Sequence, residues 1–361
     1  MQTAIPYFFM RGGSSRGPYF NKADLPDDRE ALSQVLIAAL GSGHPLNIDG
    51  IGGGNAVTTK VAILSKSDDD WADIDYFFAQ VSVEDRLVDF KPTCGNILTA
   101  VGPAAIEMGL ISPSSDITEV KIKAVNTGAH ILARLQTPDG VLTYAGDAAI
   151  DGVPGTAAPV ELNFMGVAGS STGHFLPTGN LIDRIDDIDV TCMDVAMPMV
   201  MARASDFGLT GQESREELDN NRSFFACMEA VRLKAGALMG LGDCTKSVTP
   251  KFGLFAPHQQ TAHIHTRYFM PWTTHPTMAV TGSQCMASCA LTPGTIAYDL
   301  MKQPDRSPAS IKLHHPMGVM EVLTDYHISD DNHFTHQSAG VVRTARKLAS
   351  GEVFIPADIL A

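Results

Sequence analysis

The stretch KPTCGNILTAVGPAAIEMGL, residues 91–110, decides the fold, because almost every position from 97 to 106 is apolar or small. A helix that is apolar all round is buried rather than laid on a surface. Pro103 predicts a kink in this helix or its division into two, and Gly109 suits a left-handed C-cap. The stretch therefore predicts a central helix around which strands are arranged.

Cys94, Gly95 and Asn96 stand at the start of this helix. A helix N-terminus carries partial positive charge and unpaired N–H groups. A thiol placed there has a stabilised thiolate, and a carboxylate can bind the N–H groups because Gly95 lets it come close. A lone Cys is more often a buried structural residue, but this position favours a catalytic Cys94 with an anion site at Gly95 and Asn96.

A glycine-rich loop, RGGSSRG at residues 11–17, follows a predicted first strand. It combines cations with hydroxyls, so Arg11 or Arg16 is a candidate for binding a carboxylate, with Ser14 or Ser15 as a further donor. A hairpin loop with solvated cations is an equally good interpretation.

A second glycine-rich loop, IDGIGGGN at residues 48–55, leads into a predicted strand that starts at Lys60. It matches neither the P-loop nor the GxGxxG pattern. A Lys at a strand start is most often solvated. A Lys60 that points into an apolar cleft has a lowered pKa instead and can act as a base.

The composition indicates an ordinary globular enzyme. At 361 residues about two domains are expected, and 44% hydrophobic with 18% charged residues excludes a disordered chain. The net charge of −14 argues against a nucleic-acid partner. The six cysteines lack paired CxxC spacing, which favours reduced thiols in the cytoplasm. No long apolar run and no signal peptide are present, so we expect no membrane partner.

The two halves of the chain share a rhythm of strands, a glycine-containing turn and an apolar helix. The connection at residues 151–180 is rich in Gly, Pro, Ser and Thr. We therefore expect domains at 1–183 and 184–361, with about the last 20 residues packing back on the first. The second helix opens with TGSQCMASCA at residues 281–290. Two helix mouths facing each other across a cleft would hold a small polycarboxylate at both ends.

The second half supplies further candidates for substrate binding. Ser283, Gln284 and Cys285 lie at the start of the second helix, although Cys285 is also a small core residue by its spacing. His315 lies in a turn. His263 and the histidine two residues later share a strand face but have no carboxylate in register, so no metal site is predicted.

Taken together, the motifs resemble those of the methylaconitate isomerase and 4-oxalomesaconate tautomerase family, which has the diaminopimelate-epimerase-like fold. The resemblance rests on these segments: FMRGGSSRG (9–17), DGIGG (49–53), TKVAI (59–63), CGN (94–96), VGP (101–103), NTG (126–128), DGVPG (151–155) and RTAR (343–346). It implies an α+β fold of two pseudo-symmetric domains, each a mostly antiparallel sheet or barrel wrapped round a central helix.

The resemblance also implies the catalytic pair Lys60 and Cys94, substrate contacts at Gly53 and Gly54, and no cofactor or metal. The first loop usually reads RGGTSKG in the family, and here Ser14 and Arg16 replace Thr and Lys. Such departures leave the substrate open more than the reaction class.

The function expected from the resemblance is keto-enol tautomerisation of 4-oxalomesaconate in gallate breakdown, by proton transfer at carbon. Cis-trans or 1,3-allylic isomerisation of 2-methylaconitate, aconitate or 4-oxalomesaconate is the alternative. A more distant alternative is a protein that binds a polycarboxylate without catalysing a reaction. The expected partner is a small tricarboxylate in the cytoplasm, and a homodimer is the oligomer considered.

Overall fold

The computed structural model describes residues 1–150, 152–270 and 272–360; Asp151, the first residue of the DGVPG motif (151–155), lies outside them. The strands are β1 (Gln2–Gly12), β2 (Ser15–Asn21), β3 (Lys60–Lys66), β4 (Ile74–Val81), β5 (Val88–Asp89), β6 (Ile117–Ala124), β7 (Ala129–Gln136), β8 (Pro159–Met165), β9 (Asp183–Ile185), β10 (Ile188–Asp194), β11 (Pro198–Arg203), β12 (Lys251–Ala256), β13 (His263–Phe269), β14 (Ala309–His315), β15 (Gly318–Ile328) and β16 (Phe334–Pro356). The α-helices are α1 (Arg29–Leu40), α2 (Gly95–Leu98), α3 (Val101–Glu107), α4 (Arg215–Asp219), α5 (Arg222–Leu238) and α6 (Val280–Leu291).

The chain divides into two compact units. The first contains Met1–Asn163 and the residues from Val342 onward, and the second contains Phe164–Val341. The division falls earlier than the boundary expected near Asp183, because the glycine-rich segment after residue 164 packs with the second unit. The fully buried Asp194 carboxylate accepts the N–H groups of Ser171 and Thr172 at 2.8 and 2.7 Å.

Both units repeat one topology. In the first, β1–β2, β3–β4 and β6–β7 are antiparallel, whereas β2–β3 and β4–β6 are parallel. In the second, β10–β11, β12–β13 and β14–β15 are antiparallel, whereas β11–β12 and β13–β14 are parallel. Parallel neighbours need a crossover. Helix α1 and helix α5 lie in the first crossover of their units, and α2–α3 and α6 lie in the second.

Each sheet buries both faces. The core under α1 joins its Leu36 to Val61 of β3, and α5 covers its own sheet in the same way. On the opposite face, α2 packs against β1, β2 and β3, and α6 packs against β10, β11, β14 and β15. Ten of the twelve residues of α6 are buried, among them the polar Ser283, Gln284 and Ser288. The prediction of an α+β fold with a central helix in each unit is confirmed.

Two local expectations need correction. The central helix of the first unit does divide, but the break falls at Thr99–Ala100, and Pro103 lies in the first turn of α3. A proline is tolerated there because the first-turn N–H groups have no intrahelical partner. The alternation of apolar and polar residues at 140–145 also predicts a strand, which is absent; a short 3-10 turn, Pro138–Gly140, is followed by irregular chain.

Within the three described ranges, no helix is both long enough and apolar enough to cross a membrane.

Candidate active site

Cys94 lies at the N-cap of α2, half exposed, with an extended backbone. Two fully buried tyrosines fix this helix start. The Tyr76 hydroxyl donates to the Cys94 carbonyl at 3.2 Å, and the Tyr19 hydroxyl donates to the Ile97 carbonyl at 2.5 Å. Burial raises the pKa of both tyrosines well above its ordinary value, and the neighbouring Cys94 adds to the rise. Both therefore remain protonated donors that hold the backbone around the thiol.

The loop between β1 and β2 lies directly against Asn96. A Cβ on Gly12 would lie 2.3 Å from the Asn96 carbonyl oxygen, and one on Gly13 would lie 2.2 Å from its Oδ1. The Asn96 side-chain amide donates to Ser14 Oγ at 3.1 Å. The two motifs that the sequence singled out, RGGSS and CGN, thus form one surface, and only glycines leave room for it.

Arg11 braces this loop from within. Its Nη1 donates to the Gly13 and Thr344 carbonyls at 2.9 Å and to Thr344 Oγ1 at 3.1 Å. Burial lowers the pKa of Arg11, and the nearby Arg346 lowers it further. The Ser15 hydroxyl is buried and has no hydrogen-bond partner among the described residues. Arg11 is thus largely engaged by the loop, whereas Ser15 keeps a free donor.

Three arginines stand side by side in this part of the sheet. Arg11 is the register partner of Arg16 on β2 and of Arg346 on β16. Directly opposed residues of antiparallel strands project to the same face. This row of like charges is unfavourable unless an anion screens it.

Lys60, the first residue of β3, faces away from the α1 side of the sheet, because its neighbour Val61 packs there. Its Nζ donates to Gln80 Oε1 at 2.7 Å and lies 5.4 Å from the centre of the Phe78 ring. The Phe78 ring lies 6.4 Å from Tyr76, whose hydroxyl binds the Cys94 carbonyl. Lys60 and Cys94 therefore lie on the same face of the first sheet, linked through these two aromatic rings.

The arginine-containing loop also reaches Lys60. A Cβ on Gly17 would lie 1.7 Å from the Lys60 carbonyl oxygen. A Cβ on Gly53 would lie 2.9 Å from Arg16 Nη2, and the Gly54 N–H donates to Asn47 Oδ1 at 2.8 Å. Gly53 thus lies against Arg16, and the Lys60 backbone lies against Gly17, whereas the hydrogen bond of Gly54 joins it to Asn47.

The predicted residues of the second unit are more deeply buried. Ser283 Oγ donates to the Val280 carbonyl at 2.8 Å, and Gln284 is 1% exposed with neither side-chain amide atom paired in the described chain. Cys285 is fully buried, its thiol 3.5 Å from the Met193 carbonyl, and burial raises its pKa well above the ordinary value. Cys285 therefore packs in the core rather than lining an open surface.

His315 is 7% exposed, and its Nδ1 accepts the Met317 N–H at 3.2 Å. The repeat of topology also places Lys251 at the first position of β12, which corresponds to Lys60 in β3. Burial and Arg232 lower the pKa of Lys251. The correspondence between Lys251 and Lys60 becomes visible only when the strands of the two units are aligned by pairing.

A possible metal-ligand set lies elsewhere in the second unit. One side-chain nitrogen from each of His258, His263 and His314 lies within 4.8 Å of the others. The sequence paired His263 with His265 on one strand and therefore missed the set, which depends on a neighbouring strand and a loop.

Such a surface, with an amine and a thiol on one face and unpaired cations beside them, is typical of enzymes that move protons on anionic substrates. The profile of the PrpF protein family matches residues 2–356, and the chain belongs to that family.

Relatives that match nearly the whole chain are named isomerases. A (4E)-oxalomesaconate Delta-isomerase from Novosphingobium sp. strain KA1 is 44% identical over 98% of this chain and 98% of its own. A 4-oxalomesaconate tautomerase from Pseudomonas putida KT2440 is 42% identical over 99% and 98%. The crystal structure of a methylitaconate-delta-isomerase matches with a TM-score of 0.89 and 32% identity, covering 100% of this chain and 97% of that one. The chain is therefore an enzyme of the isomerase class.

Proposed function

We propose that the enzyme is a cofactor-independent tautomerase of 4-oxalomesaconate, or of a closely similar unsaturated tricarboxylate, with Lys60 and Cys94 as the acid–base pair. One observation carries the proposal. Within the described chain, no carboxylate forms an ion pair with Arg11, Arg16 or Lys60. In a protein of net charge −14, unpaired cations around one loop favour a polyanionic ligand.

The contacts of Lys60 support a role toward an anion. Its partner, the Gln80 amide, is neutral, so the ammonium charge is oriented but not cancelled. The half-exposed Cys94 thiol lies on the same sheet face. A proton removed from the substrate carbon next to the keto group leaves an enolate, and a proton delivered to the enolate oxygen completes the keto–enol tautomerisation.

The developing charge would be stabilised by donors that are already in place. The Ser15 hydroxyl has no internal partner, and the Arg16 guanidinium lies beside Gly53. Preorganised donors of this kind stabilise an oxyanion without reorganisation in the transition state. We assign carboxylate binding to Arg16, Ser14 and Ser15, and the remaining predicted contacts in both units stay predictions.

The experiment compares steady-state rates on 4-oxalomesaconate. Lys60→Met and Cys94→Ala are each expected to lower kcat by about 10²- to 10⁴-fold, the usual effect of losing an acid or base. Matched controls are Lys66→Met, at the exposed end of the same strand, and Cys227→Ala, an exposed thiol. Both controls should keep the wild-type rate. A Lys60 or Cys94 variant that folds and retains that rate removes the assignment.

A second candidate reaction is a 1,3-allylic shift of a double bond, and the TM-score of 0.89 to the methylitaconate-delta-isomerase structure favours it. The same two residues would serve. Product analysis by NMR separates the candidates, because a tautomerase changes the keto group while an allylic isomerase moves an alkene. Parallel assays with 4-oxalomesaconate and methylitaconate identify the better substrate by kcat/KM.

A further inference from the structure

Four histidine rings cluster in the second unit, and none of them is among the residues assigned above to proton transfer. His263 begins β13, and the parallel pairing of β13 with β14 sets His265 opposite His314. The loop after β12 adds His258, whose ring centre lies 4.4 Å from that of His314 and 5.1 Å from that of His263. Each of these three rings is partly exposed, so an ion from solvent can reach them.

Two of the nitrogens already point at each other. His263 Nδ1 and His314 Nε2 are 2.7 Å apart and share a proton. Two imidazoles bound to one tetrahedral Zn²⁺ place their nitrogens about 3.3 Å apart, given Zn–N bonds of about 2.0–2.1 Å. A small opening of this pair would replace the shared proton by a metal ion.

We propose that His258, His263 and His314 form a site for a divalent transition-metal ion, with Zn²⁺ as its simplest occupant. Their nitrogens lie within 4.8 Å of one another, so the third ligand has to approach by no more than about 1.5 Å to reach tetrahedral spacing. His258 can make this movement because it lies on a loop. Three protein ligands leave one coordination position for water.

The donor set selects the class of ion. It consists of three imidazole nitrogens, and no carboxylate belongs to it. Affinity must therefore come from nitrogen coordination and not from negative charge. Zn²⁺, Ni²⁺ and Cu²⁺ are expected to bind, whereas the oxygen-seeking Mg²⁺ and Ca²⁺ are not.

One hydrogen bond within the loop opposes coordination of the metal ion by His258. His258 Nδ1 accepts the Gln260 N–H at 3.2 Å. Coordination through Nε2 would move the ring proton to Nδ1 and give up this bond. His258 is therefore the last ligand to engage, and its loss should weaken the site less than loss of His263 or His314.

The test titrates the metal-free full-length protein with Zn²⁺, and with Co²⁺ as a spectroscopic probe. We expect one equivalent per chain, Co²⁺ ligand-field bands without a thiolate charge-transfer band, a rise in Tm with Zn²⁺, and no competition from Mg²⁺. Loss of a residue that only supports a metal ligand lowers metal affinity by roughly 10- to 100-fold. His263→Gln and His314→Gln remove a ligand itself, so each should weaken Zn²⁺ binding by at least that factor. His327→Gln, an exposed residue on β15, is the matched control and should bind as the wild type does.

Three results would overturn the site: no saturable binding by the wild type, a thiolate band that assigns the ion to cysteine, or unchanged affinity in the histidine variants. Circular dichroism of each metal-free variant checks its fold. If the strand variants are misfolded, the loop variant His258→Gln decides the question by the same titration. The proposed metal site uses residues of the second unit alone. The result of this titration is therefore independent of whether the proposed tautomerase activity is found.

Discussion

Replacing Gly12 by Ala tests how tightly the loop between β1 and β2 positions helix α2. The new Cβ would lie 2.3 Å from the Asn96 carbonyl oxygen and 3.1 Å from the Tyr19 hydroxyl, whereas ordinary contact begins at 3.4 Å. Neither neighbour can yield easily. The Asn96 carbonyl accepts the Thr99 N–H at 3.2 Å, and Tyr19 is fully buried and bonded to Ile97. The loop and the start of α2 must therefore separate by about 1 Å.

The expected losses follow from that displacement. Overpacking of this kind costs about 1–3 kcal/mol of unfolding free energy, and a misplacement of about 1 Å lowers the rate by about 10²-fold. Urea unfolding and kcat/KM on 4-oxalomesaconate measure the two effects. Gly351→Ala in β16 is the control, because a Cβ there meets nothing within 4 Å. A Gly12→Ala enzyme with the kcat/KM of the Gly351→Ala enzyme would refute the reasoning.

Three further predictions concern stability, measured by urea unfolding. Arg232→Met should cost about 3–5 kcal/mol of unfolding free energy. The fully buried guanidinium makes two 2.7 Å hydrogen bonds to Glu229 and binds three carbonyls, and the substitution leaves all these acceptors without it. A loss no larger than that of a surface substitution would argue against this role of Arg232. Tyr76→Phe should cost about 1–3 kcal/mol, since the Cys94 carbonyl loses its donor, and an unchanged midpoint would count against that bond. Burial lowers the pKa of His336 to about 4, whereas its ordinary value is about 6.5. Below about pH 6.5 the unfolded state therefore binds more protons than the folded state, and the free energy of unfolding should fall as the pH drops toward 4. His336→Gln should flatten this decline, and an equally steep decline in the variant would assign it to other groups.

Much of the fold could be predicted because its signals are local. Helix α1 has Asp28 at its N-cap, accepting two backbone N–H groups, and α6 is rich in small residues. The strand that starts at Lys60 and the helix that starts after Cys94 were both found from their patterns. These features depend on periodicity and capping, which a single sequence displays.

The remainder depends on pairing between distant segments. The position of residues 164–182 follows from hydrogen bonds to the Asp194 carboxylate. No local sequence pattern predicts these bonds. The equivalence of Lys251 with Lys60 requires the strand order, and the histidine set requires β14 beside β13. The close approach of Gly12 to Asn96 likewise spans more than 80 residues, so the sequence named both motifs without showing that they touch.

Hydrogen exchange at the substrate carbon tests the central claim most directly. In deuterium oxide, the wild-type enzyme should introduce deuterium into 4-oxalomesaconate at the carbon next to the keto group, as followed by proton NMR. Lys60→Met and Cys94→Ala should each slow this exchange by about 10²-fold or more, while Lys66→Met and Cys227→Ala leave it unchanged. Exchange at the wild-type rate in both folded Lys60 and Cys94 variants would contradict the account.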